Sequence, residues 1–354
     1  AGGRGTRLRP ITYSIPKPLV PVAGKPVIAY ILDSFYKANV KDIIITTGYK
    51  FESLIRGVLE NKNYDQNVLF SVEKEAAGTA GSVKLAEKFL NDTFIVGSGD
   101  ILIDFDVRKM LEEHKKTGSL ITVALTHVDD PSQFGIAEMD DSNRIIKFLE
   151  KPSKNETFSD TVNAGVYIIE PEILDYIPRG KVFDFAKDLF PKLMNEGIVL
   201  NGYIIEGTWL DAGRPKDLIK ANQIMTEKYG NPLSDRVKGN FIIKSQIPET
   251  TKIKAPVYIG ENVKIGKDTT IDRSTIYDNV VIGDNVEIAD SVLMPSSKIS
   301  RTSKIEGSVI MQSTSIGENC EIYNSVLSQK LNVQNGSRIF DVALSSEIAD
   351  EDNQ

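Results

Sequence analysis

The chain has 354 residues, 41% of them hydrophobic, with 42 lysines and arginines against 49 aspartates and glutamates and a formal net charge of −7. That is enough apolar material for two domains, while the acidic balance argues against nucleic acid or an anionic membrane as partner. A single cysteine, Cys320, excludes an internal disulfide and a cysteine-built zinc site, and two histidines, His114 and His127, exclude a histidine-rich metal centre.

The first ten residues, AGGRGTRLRP, interleave Gly2, Gly3 and Gly5 with Arg4, Arg7 and Arg9. Glycine lets backbone N–H groups approach phosphate oxygens closely, and arginine supplies charge that no physiological pH removes. Such a basic cluster in an acidic protein points to a small anionic ligand. The stretch SIPKPLVPVAGKP (14–26) adds Lys17 and Lys25 between prolines. No Gly-Lys-Ser/Thr follows, so this is not a Walker loop, and internal arginines make it a poor dinucleotide fingerprint.

The chain then alternates. Residues 27–39 read as an amphipathic helix, and residues 42–48 as a buried strand. Residues 93–100 read as a strand ending in small residues and the carboxylate of Asp100, and residues 119–128 as a third strand. This alternation predicts an α/β sheet covered by helices on both faces. Ligands in such sheets sit beyond the carboxyl ends of strands, where Asp100 falls.

From Ile253 the pattern changes. Ile253, Ile259, Ile265 and Ile271 are spaced by six, as are Ile276, Ile282 and Ile288, then Ile299 and Ile305, then Ile310, Ile316 and Ile322. Period six fits a parallel β-helix with three short faces per coil, each turning one aliphatic side chain inward. The slips around 272–276, 289–299 and 306–310 are expected to be corners or small insertions.

In chain order, GGRGTRLRPIT and KPLVPVAGKPVI are followed by EKEAAGTAGSV, GSGDIL, FGIAEMD, FLEKP, NAGVYII and GTWLDAGRPKDL. This series resembles the sugar-1-phosphate nucleotidylyltransferases over more than two hundred residues. The resemblance implies a Rossmann-like mixed-sheet domain followed by a left-handed parallel β-helix of hexapeptide repeats. Divided on that basis, 1–228 is the nucleotidyltransferase domain, 229–252 a linker and cap, 253–344 the β-helix and 345–354 an acidic tail. Family members begin with a short apolar strand before the glycine loop, and the chain starts at the loop itself. That departure keeps open a catalytically silent subunit that binds NDP-sugar.

The implied reaction joins an NTP to a sugar 1-phosphate, releasing pyrophosphate. By resemblance, Gly2, Gly3, Gly5, Thr6, Gly78 and Thr79 border the nucleotide, and Arg7 neutralises the β- and γ-phosphates. Lys17 would hold the α-phosphate or the attacking phosphate. Lys151 would grip the sugar phosphate, with Glu150, Gly135 and Asn163 completing the sugar pocket. Asp100 and Asp211 would coordinate Mg²⁺, which favours a few carboxylates plus phosphate oxygens.

In the uridylyl- and thymidylyltransferases of the family a glutamine five residues before the loop glycine reads the pyrimidine. Here that residue is Glu73, counted back from Gly78. A carboxylate only accepts hydrogen bonds, which suits the adjacent N1–H and N2–H₂ donors of guanine and favours GTP; mannose 1-phosphate follows from that inference. Glucose-1-phosphate thymidylyl- or uridylyltransferase is the alternative. Both histidines precede the β-helix, which excludes histidine-dependent acyl transfer there, so self-association into a homo-oligomer is its expected role. No run approaches the roughly 18 apolar residues of a membrane span and no signal peptide is visible, so no membrane partner and a cytoplasmic setting are expected.

Overall fold

The computed structural model describes residues 1–60, 65–232 and 239–345. Nearly all of the expected acidic tail therefore lies outside the described residues. The chain divides into two compact units: Ala1–Gly3 with Val27–Leu210, and Arg4–Pro26 with Asp211–Gln354.

The first unit is built on a mixed sheet. Its central strand Thr161–Ile169 runs antiparallel to Ile121–His127 on one side and to Phe94–Gly97 on the other. Leu200–Ile204 adds parallel to Ile121–His127, and the hairpin Gly135–Met139 with Ile145–Glu150 joins beyond Val162. The strands at 42–48, 93–100 and 119–128 appear as Asp42–Thr47, Phe94–Gly97 and Ile121–His127. The helix at 27–39 runs Val27–Lys37, with Val27, Ile28, Ile31 and Phe35 buried at helical spacing, and packs on the strand Leu102–Phe105. The core gathers Val123, Leu125, Ile169, Leu189 and Leu200 around the aromatic group Tyr167, Phe185 and Phe190. The Tyr167 and Phe185 ring centroids are 4.8 Å apart.

Among the described residues, Asp42–Thr47 pairs only with Asn67–Val72, and Phe94–Gly97 only with Thr161–Ile169. Between the two unpaired edges lies a cavity of about 570 Å³, walled by Ile28, Ile31, Phe35, Ile43 and Ile95. The Ala1 ammonium sits at its rim and donates to the Thr46 carbonyl at 3.0 Å.

The second unit is dominated by a parallel β-solenoid. Its three faces are stacks of seven, six and five short strands. Phe241–Ile243, within the stretch read as linker and cap, is the first strand of the seven-stranded face. Interior rungs align Ile271, Ile288, Ile305, Ile322 and Ile339 on one face and Ile276, Leu293, Ile310 and Leu327 on another. The register slips are regular corners rather than insertions. One corner per coil is a residue short, giving a 17-residue repeat. It is turned by a residue in the left-handed region: Arg273, Asp290, Gly307, Asn324 and Asp341 in successive coils.

A serine ladder fixes that short corner. Ser274, Ser291, Ser308 and Ser325 are each buried. Each hydroxyl donates to the carbonyl two residues back, at 2.6–2.8 Å. Each also accepts the N–H 17 residues ahead, at 3.0–3.2 Å. The ladder thus satisfies the N–H groups that the tight turn leaves outside the strand pairing, while the carbonyls it reaches also accept a backbone N–H of the next coil. Ser308→Ala would leave the buried Ser325 N–H without its partner, while the Glu306 carbonyl keeps the Asn324 N–H, and is expected to cost about 1–3 kcal/mol of stability. Urea unfolding followed by circular dichroism checks this.

Candidate functional site

In the second unit, residues 4–26 form a compact loop region anchored by Leu8 and Ile11, both fully buried. Gly5 adopts φ +61, and an added Cβ would meet Thr12 Cγ2 at 3.0 Å and Lys17 Cβ at 3.2 Å, so only glycine fits. It caps the turn Thr6–Leu8, and its carbonyl accepts from Thr12 Oγ1 at 3.0 Å. This turn presents Arg7, whose guanidinium is about half exposed, while Lys17 is almost wholly covered.

The two side chains converge on one carboxylate. Lys17 Nζ lies 2.7 Å from Asp211 Oδ1, and Arg7 Nη2 lies 3.1 Å from Asp211 Oδ2. Gly213 makes room for the cluster, since a Cβ there would fall 3.0 Å from both Asp211 oxygens and 3.2 Å from Arg7 Nη2. Both cations thus bear on the Asp211 carboxylate, Lys17 from the covered side and Arg7 from the more exposed side. Nearby, burial raises the Asp217 carboxyl above its usual range, the Asp211 charge adding to the shift and Arg214 opposing it.

The first unit carries the remaining candidates. Gly2 has only ordinary contacts around an added Cβ, the nearest being Gly48 N at 3.6 Å, and Gly3 faces open space. Their backbones are accessible to a ligand, in contrast to the packed Gly5. Glu73 lies beside this segment. Its Oε2 accepts the Ala77 N–H at 3.3 Å, and Oε1 stands 4.0 Å from the Cβ position of Gly2.

Gly78 and Thr79 are engaged internally. Gly78, at φ +75, packs its Cα against the Phe183 backbone, where an added Cβ would come within 2.6 Å of the carbonyl oxygen. The Thr79 N–H and hydroxyl both donate to Asp184 Oδ1, at 2.8 and 3.0 Å. The next two N–H groups of the helix Thr79–Leu85 donate to the Phe183 carbonyl. The N-terminus of this helix is therefore satisfied by protein.

Gly135, Glu150, Lys151 and Asn163 gather where the hairpin meets the central strand. An added Cβ on Gly135 would lie 2.6 Å from Glu150 Oε2, so the glycine leaves space for that carboxylate. Lys151 sits at the hairpin's end with φ +47, its N–H bonded to the Phe134 carbonyl and its ammonium exposed, 3.8 Å from Glu150 Oε1. Burial pushes the Glu150 carboxyl up; Lys151 opposes this and Asp184 adds to it. Asn163 opens a bulge in the central strand, accepting the Gly165 N–H at 2.9 Å and donating to Tyr167 Oη at 3.0 Å. Trp209 closes this region, its indole N–H donating to the Ala164 carbonyl at 3.0 Å and its ring set edge-on to Phe134.

Tyr167, Asp184 and Trp209 were not singled out from sequence. Asp184 lies in FDFAKDL with no local sign that it holds Thr79 and influences Glu150. Trp209 had the clearer signal, as the one tryptophan of the chain inside a matched motif.

Asp100 follows the strand Phe94–Gly97, and its Oδ1 accepts Ser98 Oγ at 2.9 Å. Among the described residues no group of three or more histidine, cysteine, aspartate or glutamate side chains could hold a metal by itself. A carboxylate such as Asp100 is a donor of the kind a hard divalent cation takes together with phosphate and water oxygens.

Residues 1–228 match the nucleotidyl transferase family, and residues 237–307 and 253–348 match the GMPPB C-terminal domain. The chain is 36% identical to mannose-1-phosphate guanyltransferase 2 of Candida glabrata over 257 residues, 71% of this chain and 70% of that protein. It is 31% identical to a UTP–glucose-1-phosphate uridylyltransferase of Synechocystis over 280 residues, 73% of this chain and 72% of that protein. Among solved structures, HddC from Yersinia pseudotuberculosis complexed with GMP-PN superposes with a TM-score of 0.55 at 30% identity, covering 64% of this chain and 96% of that one. The motif segments in chain order, the glycine-led cationic loop and these matches agree: the chain belongs to the nucleotidyl transferase family.

Proposed function

We propose that the chain transfers a guanylyl group from GTP to mannose 1-phosphate, giving GDP-mannose and pyrophosphate. Relatives named mannose-1-phosphate guanyltransferase, at 36–39% identity, support this reaction. The observation that carries the choice of base is Glu73, an acceptor-only side chain beside the open backbone of Gly2 and Gly3.

The attacking group is an oxygen of mannose 1-phosphate. It forms a bond to the α-phosphorus as the bond to the α–β bridging oxygen breaks, and the electron pair leaves with pyrophosphate. A phosphate monoester has its second pKa near 6, so the nucleophile is ionised at neutral pH without a general base. The barrier then lies in assembling two polyanions and stabilising charge on the leaving group. Arg7 and Lys17 answer both needs, Arg7 at the β- and γ-phosphates and Lys17 at the α-phosphate or the attacking phosphate. Gly2, Gly3, Gly5 and Thr6 form the backbone against the nucleotide, while Gly78 and Thr79 act by holding their own loop. Glu150 accepts hydrogen bonds from sugar hydroxyls, Lys151 pairs with the sugar phosphate, and Asn163 and Gly135 shape the pocket.

Asp100 and Asp211 are the carboxylates we assign to Mg²⁺, which when bound polarises the α-phosphate. Asp211 is paired with Lys17 and Arg7; it becomes available as those cations pass to phosphate oxygens. Among the described residues no helix is long and apolar enough to cross a membrane, and the one cysteine is buried and free. Both support a cytoplasmic enzyme, and the flat faces of the solenoid support a homo-oligomer.

A matrix of GTP, UTP, dTTP and ATP against mannose and glucose 1-phosphates tests the reaction. GTP with mannose 1-phosphate is expected to give the highest kcat/KM, about tenfold or more above any pyrimidine pair, the factor set by one buried polar mismatch. A faster reaction with UTP or dTTP overturns the base assignment. The raised Glu150 pKa means that this carboxyl takes up a proton at higher pH than an ordinary glutamate. KM for the sugar phosphate is therefore expected to climb on the acid side before it does in Glu150→Gln. The difference between the two pH profiles isolates this group from the titration of the substrate phosphate.

A further inference from the structure

Lys17 and Arg7 belong to the same compact unit as the solenoid, and the contacts that join them are specific. Lys17 leads through the buried Val20 and Val22 into a hairpin pairing Val22 with Lys25. Its turn residues, Ala23 and Gly24, have φ +45 and +85. Gly24 lies so close to the solenoid that an added Cβ would fall 2.6 Å from Tyr258 Oη. The Ala23 N–H donates to Asn222 Oδ1 at 2.9 Å, and the same oxygen accepts Tyr277 Oη at 2.8 Å.

Asn222 is fully buried on the helix Pro215–Tyr229, and its amide nitrogen donates to the Leu218 carbonyl at 2.9 Å. Its neighbour Gln223 reaches the solenoid as well, donating to the Arg273 carbonyl at 2.9 Å and to Asp290 Oδ1 at 3.0 Å. The same helix begins just after Asp211, the partner of Lys17 and Arg7. The chain to Lys17 and the chain to Asp211 are thus referenced to one buried amide, which is in turn held by a tyrosine of the solenoid.

We propose that the first coils of the solenoid are the platform that fixes Lys17 and Arg7 for polyphosphate binding, with Asn222 and Tyr277 as positioning residues. This gives the solenoid a part in the reaction beyond self-association, and it rests on the phosphate role assigned to Lys17 and Arg7. A shift of about an ångström at a charged group that stabilises a developing anion is costly, and a hairpin of two short strands has little stability of its own to prevent one.

Calorimetric titration of the full chain with magnesium pyrophosphate reads the grip of these cations without turnover or a nucleobase. Asn222→Ala leaves the Ala23 N–H and the Tyr277 hydroxyl without their acceptor and is expected to weaken binding about tenfold; Tyr277→Phe, which removes one hydroxyl, about threefold. In a Lys17→Ala background, Asn222→Ala is expected to cost little more, because the side chain it positions is gone. Hydrogen exchange across residues 15–26 is expected to accelerate in both single variants. If Asn222→Ala does not fold, Tyr277→Phe carries the test alone. Unchanged affinity in folded variants, or the same fold-loss with and without Lys17, overturns the platform. Failure of the unsubstituted chain to bind pyrophosphate overturns the phosphate role beneath it, and the proposal with it.

Discussion

Lys17 carries its ammonium into a position only 6% exposed, and the 2.7 Å contact with Asp211 helps to make this tolerable. Removing a cation from water costs several kcal/mol, recovered only by close, well-oriented partners. Asp211 supplies one oxygen to Lys17 and the other to Arg7, so neither cation is left to the solvent alone. The arrangement holds positive charge in place before any substrate arrives, which is the condition for electrostatic stabilisation without reorganisation. It also imposes a constraint. Both Asp211 oxygens are engaged, so any further cation that meets them shares their remaining lone pairs with Lys17 and Arg7.

The same constraint explains why small residues crowd these motifs. Gly5 is needed because Thr12 and Lys17 leave no room for a Cβ, and Gly213 because the Asp211 oxygens and Arg7 occupy that space. Gly135 serves Glu150 in the same manner. At these three positions the bare backbone leaves room for side chains packed against it. Gly2 and Gly3, which meet no such obstacle, are the positions left for an outside group to approach.

Much of the architecture was legible in the residues because it is written locally. Apolar spacing marked Val27–Lys37, Asp42–Thr47, Phe94–Gly97 and Ile121–His127, and the isoleucine period of six marked the solenoid rungs. What escaped depends on approach between distant segments. That Gly78 is packed against Phe183 and that Thr79 spends its donors on Asp184 follows from the first unit's tertiary fold, since no spacing within EKEAAGTAGSV encodes a partner a hundred residues away. The slips in the repeat looked irregular because the rung residue changes from Ile276 to Leu293 and back to Ile310, hiding a constant 17-residue coil. The packing of residues 4–26 with the helix Pro215–Tyr229 and the solenoid was hidden for the same reason.

Backbone conformation marks the cluster of Gly135, Glu150, Lys151 and Asn163 as firmly as side-chain chemistry does. Lys151 is held at φ +47 and Gly165 at φ +74 within a register shift of the central strand. A lysine in the left-handed region costs on the order of 1 kcal/mol, and a bulge interrupts the pairing of the strand. Both are over-determined by their surroundings. Lys151 is tied by its N–H to Phe134, whose ring meets Trp209, and Trp209 is tied to Ala164 inside the bulge. The loop of contacts returns to Asn163, one residue from Ala164, whose amide holds Gly165 and Tyr167. Relaxing the strained Lys151 would therefore displace the bulge at Gly165 as well. Such coupling fixes the Lys151 backbone relative to Asn163 while leaving its ammonium in solvent, an arrangement suited to a cation whose partner arrives from outside.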